Sequence, residues 1–306
     1  MSRRSRKPRG YRDVNGILLL NKPLGLSSNK ALQAARHIFK ANKAGHTGSL
    51  DPLATGLLPV CFGEATKFSQ LLLDSSKSYR ALCRLGVTTT TGDGEGEVVA
   101  EKPVDVTREQ VQQVIELFTG KIQQIPPMHS AVKHQGERLY ALARRGEEVE
   151  RKSREIEIYR LQVLSFEDDR LLLDVHCSKG TYIRTLAEDI GEALGCGAYL
   201  LELERTGVQP FWDAKSYTLD ELREIRDDES RDLDDCLLPT EAALSDWPAI
   251  ELTTEMTFYL LQGQPVQVPK APTQGFVRLV DDKKGFIGLG MIQSDGRVAP
   301  KRMMRV

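Results

Sequence analysis

The chain has 306 residues, 40% of them hydrophobic and 28% charged, enough for a sizeable core and, at roughly 150 residues per domain, about two domains. That composition excludes collagen-like, disordered and membrane-spanning classes, because apolar runs such as Gly16–Leu20 and Leu71–Leu73 are far too short to cross a bilayer. The net charge of −1 excludes little: Arg3, Arg4, Arg6, Lys7, Arg9 and Arg12 give the first twelve residues +6, and Asp220–Asp235 carries −6. Five scattered cysteines without a C-x-x-C pair fit a reducing compartment and offer neither a disulfide framework nor a zinc ribbon. The basic N-terminus lacks the apolar region and small-residue cleavage site of a signal peptide, so a cytoplasmic location with no membrane association is expected.

After a basic arm expected to be disordered over residues 1–12, Gly16–Leu20 reads as a short buried strand ended by Asn21-Lys22-Pro23. Ser27-Ser28-Asn29 can cap a helix that places Leu32, Ala35 and Phe39 on one face. Gly45–Gly56 reads as a polar loop, and Lys77–Leu85 as a half-buried strand in which Tyr79, Ala81, Cys83 and Leu85 share a face. Thr107-x-x-Gln110 is a capping box opening an amphipathic helix that stops at Gly120. Ile156–Phe166 and Leu171–Ser178 form two strands about the turn Glu167–Asp169, Thr181–Leu194 a helix stopped by Gly195, and Tyr199–Arg205 another strand. An acidic helix over Thr218–Asp235 precedes Pro239 and Trp247-Pro248, beyond which glycines and short β-like runs predict a small β domain. The interleaving implies an α/β (α+β) fold with a mixed, largely antiparallel central sheet, not a doubly wound parallel one.

The densest chemistry lies in Gly45-His-Thr-Gly-Ser-Leu-Asp-Pro-Leu-Ala-Thr-Gly56. Its glycines allow close backbone approach to a ligand, and Pro52 biases Asp51 toward an extended backbone that fixes the carboxylate direction. A purely structural turn in which Asp51 caps the next segment fits the local pattern equally well. His46 and Asp51 alone fall short of a metal site, and none is expected.

This loop resembles the nucleophile motif of the TruB family of pseudouridine synthases. Three further blocks match in order and spacing: Gly16-Ile-Leu-Leu-Leu-Asn-Lys22-Pro23, Lys77-Ser-Tyr79-Arg80, and Cys177-Ser-Lys-Gly-Thr-Tyr182-Ile-Arg184-Thr. The resemblance runs from about residue 13 to the C-terminus. It implies isomerisation of the uridine at position 55 (tRNA numbering) in the TΨC loop, by cleavage of the N1 glycosidic bond and re-attachment through C5. No cofactor is needed, in keeping with the absence of nucleotide-binding glycine motifs.

By resemblance Asp51 is the catalytic carboxylate, with attack at C1′ or C6 both open, and Arg184 pairs with it to keep its pKa low. Tyr79 stacks on the flipped uracil and can shuttle a proton, a stack worth roughly 1–3 kcal/mol. His46 fills the gap left by the flipped nucleotide or stacks beside it, Tyr182 and Leu203 line the uracil pocket, Lys22 braces it, and Asp93 keeps a matching position. Where the family often carries an aspartate after the Tyr79 strand, this chain has Thr90.

The resemblance divides the chain into a catalytic domain over 13–247, with an RNA-contacting insertion at about 121–154, and a PUA-like RNA-binding β domain over 248–306. Seven basic residues against four acidic ones in Lys133–Arg154 suit phosphate contact, while a solvated amphipathic helix also fits them. The expected partner is the T arm of tRNA, with no obligatory protein partner evident. A non-catalytic tRNA-binding or tRNA-folding protein on the same scaffold is the competing reading, and a guide-RNA-dependent relative a third.

Overall fold

The computed structural model describes residues 10–130 and 132–305. A nine-stranded sheet organises the first four-fifths of the chain, in the order Leu237–Leu238, Gly16–Lys22, Ala54–Phe62, Ala198–Val208, Lys77–Leu85, Arg170–Cys177, Arg154–Glu167, Gly120–Gln124, with Ala44–His46 paired beside Ala54–Phe62. Every pairing is antiparallel except that of Ala198–Val208 with Ala54–Phe62, where Leu203 faces Ala54 and Arg205 faces Gly56. The mixed, largely antiparallel sheet expected from the sequence is therefore observed. Among the described residues, no helix is long and apolar enough to cross a membrane.

The local signals act where they were read. Ser27 accepts from the Lys30 amide to open helix Ser28–Ile38, and Thr107 and Gln110 close a reciprocal capping box on helix Arg108–Leu117. Lys77–Leu85 buries alternate residues, as a strand with one face on the core does. Helices Ser28–Ile38, Arg108–Leu117, Ile183–Ala193 and Leu219–Asp227 bury their apolar faces in one core with Tyr79, Ala81, Cys83 and Leu85. They all cover the face of the sheet to which Tyr79 belongs, so the site lies at the junction of sheet and helix ends.

Four expectations change. The Gly45–Gly56 loop contracts to Thr47–Leu53, because Ala44–His46 and Ala54–Phe62 are strands. Ala54–Phe62 is buried on both faces along most of its length and so lacks the polar alternation that marks a strand. The acidic helix stops at Asp227, where the chain turns extended at Asp228; Asp227, Asp228 and Glu229 place negative charge at a helix C-terminus, against the macrodipole. Asp232 then caps a separate turn over Leu233–Cys236. Residues 120–124 and 154, at the margins of the expected insertion, belong to the main sheet, leaving 125–153 outside it. Of the basic arm, residues 1–9 lie outside the described residues, but Arg12 is anchored: its amide donates to Lys40 O at 2.7 Å and its guanidinium forks onto Asp234 at 2.7 and 2.5 Å.

A second, four-stranded sheet runs Ala249–Leu252, Phe276–Asp281, Gly285–Ile292, Val298–Met303, with helix Thr254–Leu261 inserted after the first strand. Phe276, Phe286, Leu289 and Met304 pack against Ile17, Leu19, Phe68 and Leu244 of the main body. Lys67 Nζ donates to Met303 O at 2.9 Å, and Glu64 accepts from the Arg305 amide at 2.8 Å, pinning the C-terminal strand.

Candidate active site

Asp51 sits on the seven-residue connection between Ala44–His46 and Ala54–Phe62, and its carbonyl accepts from the Ala54 amide at 3.1 Å. The loop is held from below by Ser28, whose hydroxyl both accepts from the Leu50 amide at 2.6 Å and donates to its carbonyl at 2.9 Å. Above it, the first turn of helix Ile183–Ala193 brings in Arg184. Arg184 Nε lies 3.0 Å from Asp51 Oδ2, and Nη1 lies 3.4 Å from Asp93 Oδ2. The same guanidinium donates to Thr91 O at 3.0 Å and to His129 O at 2.7 Å, so one buried cation ties the carboxylate loop, the 89–97 loop and the insertion together.

The electrostatics correct one expectation. Arg184 does pull the Asp51 carboxyl down, but burial outweighs it and the pKa is raised above the ordinary aspartate value. The Asp51 side chain nevertheless keeps 42% of its surface open, against 5% for Arg184, so the carboxylate is the exposed end of a buried ion pair. Lys22 is fully buried nearby, with Nζ donating to Pro23 O at 2.8 Å and Leu26 O at 2.6 Å. Burial lowers its pKa to about 8, opposed first by the attraction of Asp51. These bonds make Lys22 a brace for the turn beneath the loop.

Asp93 orders the loop in which Thr90 departs from the family pattern. Its carboxylate accepts from the Thr91 hydroxyl at 2.5 Å and the Glu95 amide at 3.1 Å, while Thr90 and Glu97 exchange bonds at 2.9 and 3.1 Å across it. Asp93 thus places Thr91 O under Arg184. Tyr79 is buried two strands from the Asp51 loop, and burial raises its phenol pKa, with Arg205 opposing. Leu203 is buried on the strand between them, opposite Ala54 and Ala81. His46 is half-buried, its Nδ1 without a partner among the described residues, and burial followed by Arg205 lowers its pKa, favouring the neutral ring. Tyr182 precedes the helix that carries Arg184; Gln124 exchanges two bonds with its backbone at 2.8 and 3.0 Å, and the Arg154 guanidinium lies 4.7 Å over its ring.

Direct contacts thus join Asp51, Arg184 and Asp93, with Lys22 acting on Asp51, and Asp51 on Tyr79, through their fields. His46, Tyr182 and Leu203 border this group without bonding to Asp51. A groove of about 1180 Å³ runs beside Pro52, Leu53, Glu95 and Leu203, adjacent to the ion pair but not lined by it.

Residues 36–183 match the TruB family pseudouridylate synthase N-terminal domain, 184–245 the tRNA pseudouridylate synthase B C-terminal domain, and 248–304 the pseudouridine synthase II TruB C-terminal domain. The chain is 55% identical over 295 residues to tRNA pseudouridine synthase B of Pseudomonas fluorescens (strain Pf0-1), covering 96% of this chain and 97% of that protein. The chain belongs to the TruB family of pseudouridine synthases. To the Nitrosococcus oceani protein of the same name it is 53% identical over 293 residues, covering 95% of each. Among solved structures, a chain from a Cbf5–Nop10–Gar1 complex superposes with a TM-score of 0.74 at 25% identity, covering 99% of this chain and 92% of that one. A chain from an H/ACA RNP bound to a substrate RNA containing 2′-deoxyuridine shares the fold, with a TM-score of 0.73 at 24% identity, covering 98% and 93%.

Two buried cations of this TruB chain were missed in the sequence. Lys77 is 5% exposed, with Nζ donating to Leu73 O at 2.8 Å and Ser75 O at 2.5 Å, and burial brings its pKa to about 8. Arg205 is 2% exposed. The available signal was parity: Arg205 follows Leu203 by two residues on a strand and so shares its inward face. Gly56, at φ +95°, is what lets the neighbouring strand approach, since a Cβ there would lie 2.4 Å from Arg205 O.

Proposed function

We propose that this chain, as a TruB pseudouridine synthase, isomerises uridine 55 in the T arm of tRNA in the cytoplasm, without cofactor or protein partner. The observation that carries this reading is the Asp51–Arg184 pair: a carboxylate on a glycine-bearing loop, open on one side and held at 3.0 Å by a buried guanidinium. Attack at C1′ or C6 needs an ionised carboxylate of fixed direction, and Arg184 supplies both the direction and the opposing charge. Breaking the N1 glycosidic bond leaves negative charge on the uracil. Lys22, Lys77, Arg184 and Arg205 are all buried around the site, with Asp93 the one buried acid among these neighbours, so its field favours that charge.

In this mechanism the target nucleotide leaves the stacked T loop, an unstacking that costs a few kcal/mol. Tyr79 stacks on the flipped uracil, Leu203 gives it an apolar floor, Tyr182 borders it, and the neutral His46 ring occupies the vacated stack. The basic residues of 133–154 and the C-terminal β domain hold the RNA through phosphate contacts. No observation favours the non-catalytic reading.

The test is tritium release from tRNA transcripts labelled at uracil C5, using purified protein with no metal, nucleotide or second protein added. Release of one tritium per tRNA, lost when the T-arm uridine is replaced by cytidine, is expected. Release that requires an added protein or guide RNA, or that maps to another arm, would overturn the reading.

A further inference from the structure

The helix that carries Arg184 does not start as its neighbours do. Helices Arg108–Leu117 and Leu219–Asp227 each open with a local reciprocal box, in which Gln110 accepts from the Thr107 amide and Glu221 from the Thr218 amide, both at 2.7 Å. Helix Ile183–Ala193 has no such box. Its N-cap, Tyr182, makes no side-chain capping bond, and Thr185, at the position that closes the other two boxes, keeps a buried hydroxyl without a partner among the described residues. The Tyr182 backbone is held instead from 58 residues away: Gln124 Oε1 accepts from its amide at 2.8 Å, and Gln124 Nε2 donates to its carbonyl at 3.0 Å. That carbonyl also accepts the first intrahelical bond, from the Leu186 amide at 3.1 Å. Gln124 is 1% exposed, so both ends of its amide are spent on one residue with no water to compete.

Gln124 ends strand Gly120–Gln124, and its register partner is Arg154, the first residue of Arg154–Glu167. Arg154 grips the same corner: its guanidinium lies 4.7 Å over the Tyr182 ring and donates to the Gly180 carbonyl. One cross-strand pair therefore holds both the backbone and the ring of Tyr182. Two residues on, the Arg184 head is held by Asp51, Asp93, Thr91 O and His129 O. The Cα from which that head reaches is placed by the helix start, and among the described residues Gln124 makes the only side-chain hydrogen bonds to the Tyr182 backbone. A side chain leaves a helix in a direction set by the backbone, so a turn of the first peptide swings Arg184 relative to Asp51.

We propose that Gln124 is a positioning residue of the isomerisation: it fixes the start of the helix and thereby the reach of Arg184 to Asp51 and the aim of the Tyr182 ring. It makes no hydrogen bond to Asp51 or Arg184 among the described residues; its effect passes through the Tyr182 backbone. The inference rests on the pseudouridine synthase reading for the reaction served, and on geometry alone for the placement of Arg184.

Gln124→Met removes both bonds and keeps the length of the side chain. In single-turnover tritium release it should slow the reaction by about 10²-fold, the scale for misplacing a group by about 1 Å, while tRNA affinity stays within about threefold. The pH profile separates positioning from a mere loss of stability. Asp51 faces Arg184, Asp93 and Lys22; burial raises its pKa, and Arg184 is the largest influence opposing that rise. A guanidinium drawn away from the carboxylate should therefore move the acid limb of the rate to higher pH. A limb that stays in place or moves to lower pH in folded protein, or a loss carried by affinity alone, would overturn the proposal. The second readout needs no activity: in free protein, the Asp51 carboxyl titration followed by heteronuclear NMR should move to higher pH in Gln124→Met, while that of Asp281 in the C-terminal sheet stays put. An unmoved Asp51 titration overturns the proposal. Should Gln124→Met fail to fold, Gln124→Asn, which keeps the amide but is one methylene short of the Tyr182 peptide, carries the same comparisons. An inactive wild-type protein would refute the functional reading, and the NMR arm would still decide this one.

Discussion

Replacing Arg184 with methionine separates the charge of the guanidinium from its bulk. Methionine keeps the aliphatic stem but removes the ion pairs to Asp51 and Asp93 at 3.0 and 3.4 Å and the bonds to Thr91 O and His129 O. The Asp93 side chain, 5% exposed, is left as a buried carboxylate without its cation. Removing one partner of a buried pair costs about 3–5 kcal/mol. Asp51, at 42% exposure, is screened by water and adds little to that loss. At roughly 2–4 °C per kcal/mol for a large domain, the midpoint should fall by roughly 6–20 °C.

The kinetic consequence has a definite sign. In the proposed reaction Asp51 acts ionised, so activity is expected to be lost as pH falls through its pKa. Burial already raises that pKa and Arg184 is the largest influence opposing the rise, so the variant's acid limb should move to higher pH. The same shift makes the folded state bind the Asp51 proton more tightly than the unfolded chain, so this residue's contribution to stability falls as pH rises from about 4 through the folded pKa. Single-turnover tritium release across about pH 5–9 should show the variant slowed by about 10²–10³-fold at neutral pH, with a larger deficit on the acid side. An acid limb that stays in place or moves to lower pH, in protein shown to be folded, would refute the assignment of Arg184 as the group holding the Asp51 charge.

Asp51→Asn should abolish tritium release yet still bind tRNA, with log affinity falling linearly in log salt; salt-insensitive binding would contradict phosphate contact as its basis. Lys77→Met addresses a different titration. The wild-type amine, brought to about 8 by burial, binds fewer protons when folded than when unfolded up to about 10.4, so this lysine makes the protein more stable as pH rises through that window. The variant should lack that slope, about 1.4 kcal/mol per pH unit at most, in urea melts between the two values, and an identical slope in both proteins would exclude a depressed Lys77. Gly56→Ala puts a Cβ 2.4 Å from Arg205 O at a φ of +95°, and backbone strain of about 1–3 kcal/mol should appear as a lower urea midpoint. A neutral substitution there would show that the two strands are not held as close as described.

Much of this protein is written locally. Ser27, the Thr107–Gln110 box and the alternation of Lys77–Leu85 act within a few residues of themselves, through caps and pleat, so their elements are legible in one dimension. So is the loop that carries Asp51, because its glycines permit the tight turn and Pro52 restricts the residue before it. Ala54–Phe62 escaped notice because a strand covered on both faces has no polar phase to reveal it. The raised Asp51 pKa and the bonds of Arg205 could not be read at all. How fully a cation is buried, and which carbonyls or carboxylates it meets, depends on strands and helix ends that the chain brings together from positions far apart in sequence. The sequence by itself determined the family and most of the elements, and pointed to the carboxylate; only the tertiary structure decided how much water each charge keeps, since desolvation and pairing belong to neighbours in space.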